Sequence, residues 1–185
     1  MRRALPPLSL IATTAAMLLL GAGCFFGLGG EPLTLAEYFD QVDKADQEAA
    51  DKFEQIGQEI SQTQDVEQIK DGYAEFPPAI DGFIQAVEDL NPPDEGQDAH
   101  DEMLDATRAL HDEAENVVND MEGATSVEEL RSALNSPEFS AAGQSFDEAC
   151  LALQAVADDA QIDATLGCAE SQEDGDTGPT PTDGP

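Results

Sequence analysis

Apolar residues recur at steps of three and four along most of this chain, the spacing of one face of an α-helix. Phe39, Val42, Ala45, Ala49, Phe53, Ile56 and Ile60 make the first stripe, with Asp, Glu, Gln and Lys filling most positions between. Thr34 followed by Glu37 has the spacing of a capping box, in which side chains and backbone satisfy each other's orphan donors, so a long helix is predicted to open there. Ile69, Tyr73, Phe76, Ile80, Phe83, Ile84, Val87 and Leu90 predict a second helix over about 66–90. Pro77-Pro78 falls inside that stripe. Proline removes a backbone donor and clashes with the turn before it, so a kink or break is expected there. Asn91-Pro92-Pro93 then stops the helix.

A third helix is predicted over about 94–121, with His100, Met103, Leu104, Thr107, Leu110, His111, Ala114, Val117, Val118 and Met121 facing inward. Gly123 suits its C-terminal stop. Ser126 with Glu129 has the spacing of a second capping box and opens a short helix through Leu134. Ser136-Pro137 then starts a last helix, serine as cap and proline in the first turn. Its face runs through Phe139, Ala142, Phe146, Cys150, Leu153, Ala157 and Ala160 to about Gln161. No strand alternation and no fixed-period repeat interrupts this pattern. The expected fold is all-α: an up-down four-helix-type bundle with a kinked second helix. Alanine and glycine at many inward positions imply a thin core with close helix approach.

The first residues follow another pattern. Arg2-Arg3, an apolar stretch from Leu8 to Leu20 and the small-residue run Gly21-Ala22-Gly23-Cys24 stand in that order. A basic start, an apolar middle and a small-residue cleavage site are the parts of a secretory signal peptide. The arrangement resembles the type II signal peptides of bacterial lipoproteins. That resemblance covers residues 1–24 and implies that Cys24 is acylated, for example with palmitate, and becomes the mature N-terminus. Together with the helical stripes it divides the chain into an expected signal peptide at 1–23, a lipidated cysteine and Gly-rich tether at 24–33, a helical domain at 34–168 and a tail at 169–185. It also implies a place at the cell membrane or outer membrane, facing outside the cytoplasm. Two other readings of the stretch stay open. Leu8 to Phe26 is about long enough for an uncleaved membrane anchor, and ordinary cleavage would leave a soluble secreted protein.

With Cys24 taken by lipid, Cys150 and Cys168 are left, and an even pair in an exported chain implies a disulfide. From Cys150 to Gln161 a helix rises about 16 Å. The seven residues Ile162 to Cys168 reach roughly 23 Å when extended. The segment can therefore fold back and staple itself to the last helix. Residues 169–185 carry no large apolar side chain and are expected to stay disordered.

The chain has 40 acidic residues and a formal net charge of −33. Such a surface repels nucleic acid, which is held by Lys and Arg. Anionic lipid headgroups repel it too, so the membrane partnership is expected to run through the lipid anchor. The ordinary role of dense carboxylates is solvation. No EF-hand loop or Asp-rich repeat is present, so loose divalent cation association is expected rather than a defined calcium site. Crowded carboxylates raise one another's proton affinity, so mild acid is expected to stabilise the fold before strong acid disrupts it.

Candidate chemistry is sparse. His100 and His111 share a helix face, and Met103 lies one turn from His100. His and Met suit copper or haem iron, which makes these three the metal candidates. Three turns span about 16 Å, too far for both histidines to hold one ion. Buried Met is ordinarily core filler, and a His on an apolar face is ordinarily hydrogen-bonded and structural. Tyr73, Phe76 and Phe83 would line any gap opened at Pro77-Pro78, a candidate site for a small apolar ligand. No nucleophile elbow, Walker loop, dinucleotide loop or C-x-x-C-H run occurs. No catalytic residue and no cofactor is therefore expected. The expected function is a non-enzymatic interaction or scaffold module at the envelope, with an envelope protein as partner. The alternative is an envelope lipoprotein that binds a small ligand or metal.

Overall fold

Six helices and no strand make up residues 32–168, the part of the chain that the computed structural model describes. The leader, Cys24 and the acidic tail expected at 169–185 lie outside the described residues. The helices are α1 (Leu35–Ser61), α2 (Val66–Tyr73), α3 (Phe76–Glu88), α4 (Gln97–Met121), α5 (Val127–Leu134) and α6 (Pro137–Asp159). None of them is long and apolar enough to cross a membrane.

Caps explain where α1, α5 and α6 begin. At α1 the box is reciprocal: the Glu37 amide donates to the Thr34 hydroxyl at 3.3 Å, and the Thr34 amide to the Glu37 carboxylate at 3.1 Å. At α5 it is not. Ser126 accepts from the Glu129 amide, but the Glu129 carboxylate takes the amide and hydroxyl of Thr125, one residue further out. Ser136 caps α6 by accepting from the Phe139 amide. The third predicted helix starts at Gln97 rather than Asp94, because Asp94–Gly96 is a turn closed by Gly96 donating to the Pro93 carbonyl.

The expected kinked helix is two helices. The break falls at Ala74 and Glu75, and Pro77 and Pro78 stand in the first turn of α3. A first turn has no acceptor for its amides, so prolines cost little there. Their clash with a preceding turn explains why the helix ends before them.

α4 packs along α6 and α3, α3 along α1, and α2 against α1 and α4. The main core is built on Tyr38, Phe39, Val42, Val87 and Leu153, filled in by small residues such as Ala45, Ala49, Ala149 and Ala157. A second cluster gathers Ile69, Val117, Met121 and Leu130 where α2, α4 and α5 meet. Small residues let backbones approach, and Gly72 of α2 is the clearest case. A Cβ there would stand 2.5 Å from Ile60 Cγ1 of α1. Gly72→Ala gains about 1 kcal/mol of helix propensity but overpacks a tight contact at a cost of about 1–3 kcal/mol. A net loss of about 1 kcal/mol is expected, read as a lower denaturation midpoint; a rise would show that Ile60 moves aside freely.

The C-terminal return follows from the end of α6. Gln161 adopts a left-handed φ of 58°. The Ile162 amide then bonds the Ala157 carbonyl and the Gln161 amide that of Asp158. This paired closure turns the chain back along the helix. The Gln154 side chain grips the return at Ala164 O and at Leu166 N, and Leu166 is buried. Gly167 donates to Asp46 of α1 at 2.9 Å. Cys168 reaches Cys150 in a disulfide with a Cα–Cα distance of 5.5 Å, as parity and reach implied.

Candidate functional site

Separating α2 from α3 sets two aromatic rings on either side of the break. Tyr73 and Phe76 stack at 5.7 Å, and Phe76 stacks on Phe53 of α1 at 5.6 Å. This run of three rings lines a cavity of about 260 Å³. Ile80 of α3, Leu110, Ala114 and Val117 of α4, and Leu134 and Phe139 also line it, and no polar surface reaches it. A space of this character has nothing to offer water and suits an apolar guest.

Tyr73 and Phe76 therefore stand where the sequence reading set them, at a gap beside the proline pair. Phe83 does not. It is buried two turns further along α3 and borders a neighbouring cavity of about 200 Å³, together with Ala49, Thr107 and Phe146. Asp46 and Gly167 also line that space. Phe53, Ile80 and Leu110 belong to the walls of both cavities. A larger groove, about 590 Å³, runs over α1, α2 and α3 past Lys52, Glu59, Asp71 and Glu75. Water solvates such a polar wall equally well.

The metal candidates separate. His100 is buried, and its Nδ1 lies 3.0 Å from the Tyr38 hydroxyl, with the two rings edge to face. Burial pushes the imidazole below its ordinary range; Asp101 opposes that push and Arg108 adds to it. Burial also raises the Tyr38 hydroxyl, with Asp101 contributing. Both groups thus favour their neutral forms, and one hydrogen bond joins them. Met103 is core filler beside them. His111 lies elsewhere on α4, with Nδ1 3.5 Å from Asp112 Oδ1. Ligand atoms of His111, Asp112 and Glu115 lie within 4.8 Å of one another. An imidazole with two carboxylates suits a divalent cation held loosely at a surface. The His111–Glu115 spacing of one helical turn was the available signal for it.

Phe53, Leu110 and Phe139 are among the wall residues that the sequence pattern did not single out. Each lay on a stripe and counted only as core. Compared with family models, with curated proteins and with solved structures, the chain matches none.

Proposed function

We propose that this chain is a non-enzymatic binding module, tethered outside the cytoplasm by a lipid on Cys24, that holds a small apolar ligand between its helices. The cavity walled by Tyr73, Phe76 and Phe53 carries the ligand reading, since it joins an aromatic wall to a wholly apolar interior. The tether rests on the lipobox-like Gly21-Ala22-Gly23-Cys24. The helices are proposed to run up and down as a four-helix-type bundle, with α2 and α3 together forming the second rod. The ligand reading takes precedence over a protein-docking scaffold for one reason. Among the described residues the large apolar side chains that stand exposed are Val127 and Leu151, on different helices. A docking face is ordinarily a contiguous patch.

The full chain, purified from its own host, is expected to carry a small apolar molecule in its native mass spectrum. Ala114→Leu fills the cavity. It is expected to remove the bound mass while the thermal midpoint holds or rises. A wild-type chain that carries nothing, and gains no stability from added long-chain alcohol, would sink the ligand reading.

A further inference from the structure

The two neighbouring cavities differ in their ends and share Phe53, Ile80 and Leu110 in their walls. At about 260 and about 200 Å³, each falls below the ~300 Å³ at which small-molecule sites ordinarily begin. Only the two volumes taken together reach that range, so a guest of ordinary size must pass Phe53, Ile80 and Leu110 to fill both. A guest that uses both must be long and narrow. One end of its path is the ring stack, with no polar surface. The other end is bordered by Asp46 and Gly167.

The chemistry at that second end is one-sided. Thr107 donates its hydroxyl to the Met103 carbonyl at 2.6 Å. One carboxylate oxygen of Asp46 takes the Gly167 amide at 2.9 Å. Asp46 is half-buried at the edge of this cavity, and its Oδ1 accepts no hydrogen bond from the described residues. A carboxylate oxygen only accepts, so it calls for a donor. The whole chain carries a formal charge of −33, which repels an anionic head and favours a cationic one.

We propose that the ligand is a long-chain amine, with its tail threaded past Phe53, Ile80 and Leu110 to the ring stack and its ammonium on Asp46. This rests on the apolar-ligand reading and adds shape and charge to it. Fatty acids and phosphate-headed lipids are rejected on charge. Neutral alcohols of the same length enter but bind less well.

The test uses three photoreactive probes of matched chain length: a primary amine, an alcohol and a carboxylate. Each is irradiated with the full chain as made in its own host, and adducts are mapped by mass spectrometry. The amine is expected to label the peptides holding Phe53, Ile80 and Leu110 most strongly, and the carboxylate least. Asp46→Asn is expected to bring amine labelling down to the level of the alcohol, a loss of roughly threefold, the size of a solvent-screened ion pair. Asp120→Asn, which lines neither cavity, removes the same charge and is expected to leave the ratio unchanged. Leu110→Trp crowds the shared wall and is expected to abolish labelling by all three, whereas Leu110→Met keeps it. Equal labelling by amine and alcohol in the wild type overturns the head assignment, and so does a preference that survives Asp46→Asn. In either case the apolar-ligand reading stands. No labelling by any probe overturns both.

Discussion

His100→Ala is expected to cost about 3 kcal/mol, among the largest single-residue losses in this fold. The substitution opens space in the core and leaves the buried Tyr38 hydroxyl without its partner at Nδ1. Tyr38→Phe removes only the hydroxyl and should cost about 1.5 kcal/mol. Replacing both partners with apolar residues, Tyr38→Phe with His100→Leu, should recover much of the loss, because no buried polar atom is then orphaned. Denaturant midpoints of these proteins and of His100→Leu alone check this. Additive losses in the double variant would show that packing alone is at stake.

The same pair sets the pH response. Burial holds the native imidazole of His100 below its ordinary range, whereas an unfolded one titrates near ~6.5. Below that value the unfolded chain binds more protons, so stability present above about pH 6.5 is lost as pH falls toward the lowered native value. Glu37 and Glu129 act in the same direction at lower pH. Their carboxylates are held below the usual range, Glu37 by the Thr34 hydroxyl and amide, Glu129 by the Thr125 amide and hydroxyl. Charge crowding alone would make mild acid stabilising. The buried imidazole acts with the opposite sign. The wild-type midpoint should fall between about pH 7 and pH 5.5, and His100→Leu should flatten that fall.

Breaking the disulfide is the second large effect. Cys150 and Cys168 are separated by 18 residues, and closing a loop of that size contributes about 3 kcal/mol in the chain-entropy model. Cys150→Ser with Cys168→Ser should lower the thermal midpoint by roughly 10 °C. The loss has a local signature as well. Leu166 and the Gln154 contacts hold the return against α6, so amide exchange in 162–168 should accelerate far more than in α1 or α3. A midpoint shift without that local change would mean that hydrogen bonds alone keep the return in place.

Helix starts were legible because caps are local chemistry: Thr34, Ser126 and Ser136 each accept the amide expected of them. The break between α2 and α3 was misplaced for an equally local reason. Tyr73 and Phe76 are three residues apart, so the apolar stripe keeps its phase across the break. Tyr38 was missed because it precedes Phe39 on the same turn, and only a helix covered on two sides buries both. The cavity walls were beyond periodicity. Stacking of Phe53 on Phe76 depends on α1 lying against α3, which stripes along single helices do not encode.

The staple at Cys150 also decides how this protein bears load. Tension on the chain beyond Cys168 does not reach α6 at its last turn. It enters through sulfur at Cys150, well inside the helix, and at Asp46 on a different helix. The final turns of α6 lie within a closed covalent ring and cannot be peeled from their end. Pulling on the tail is therefore expected to load α6 near its middle rather than at its end.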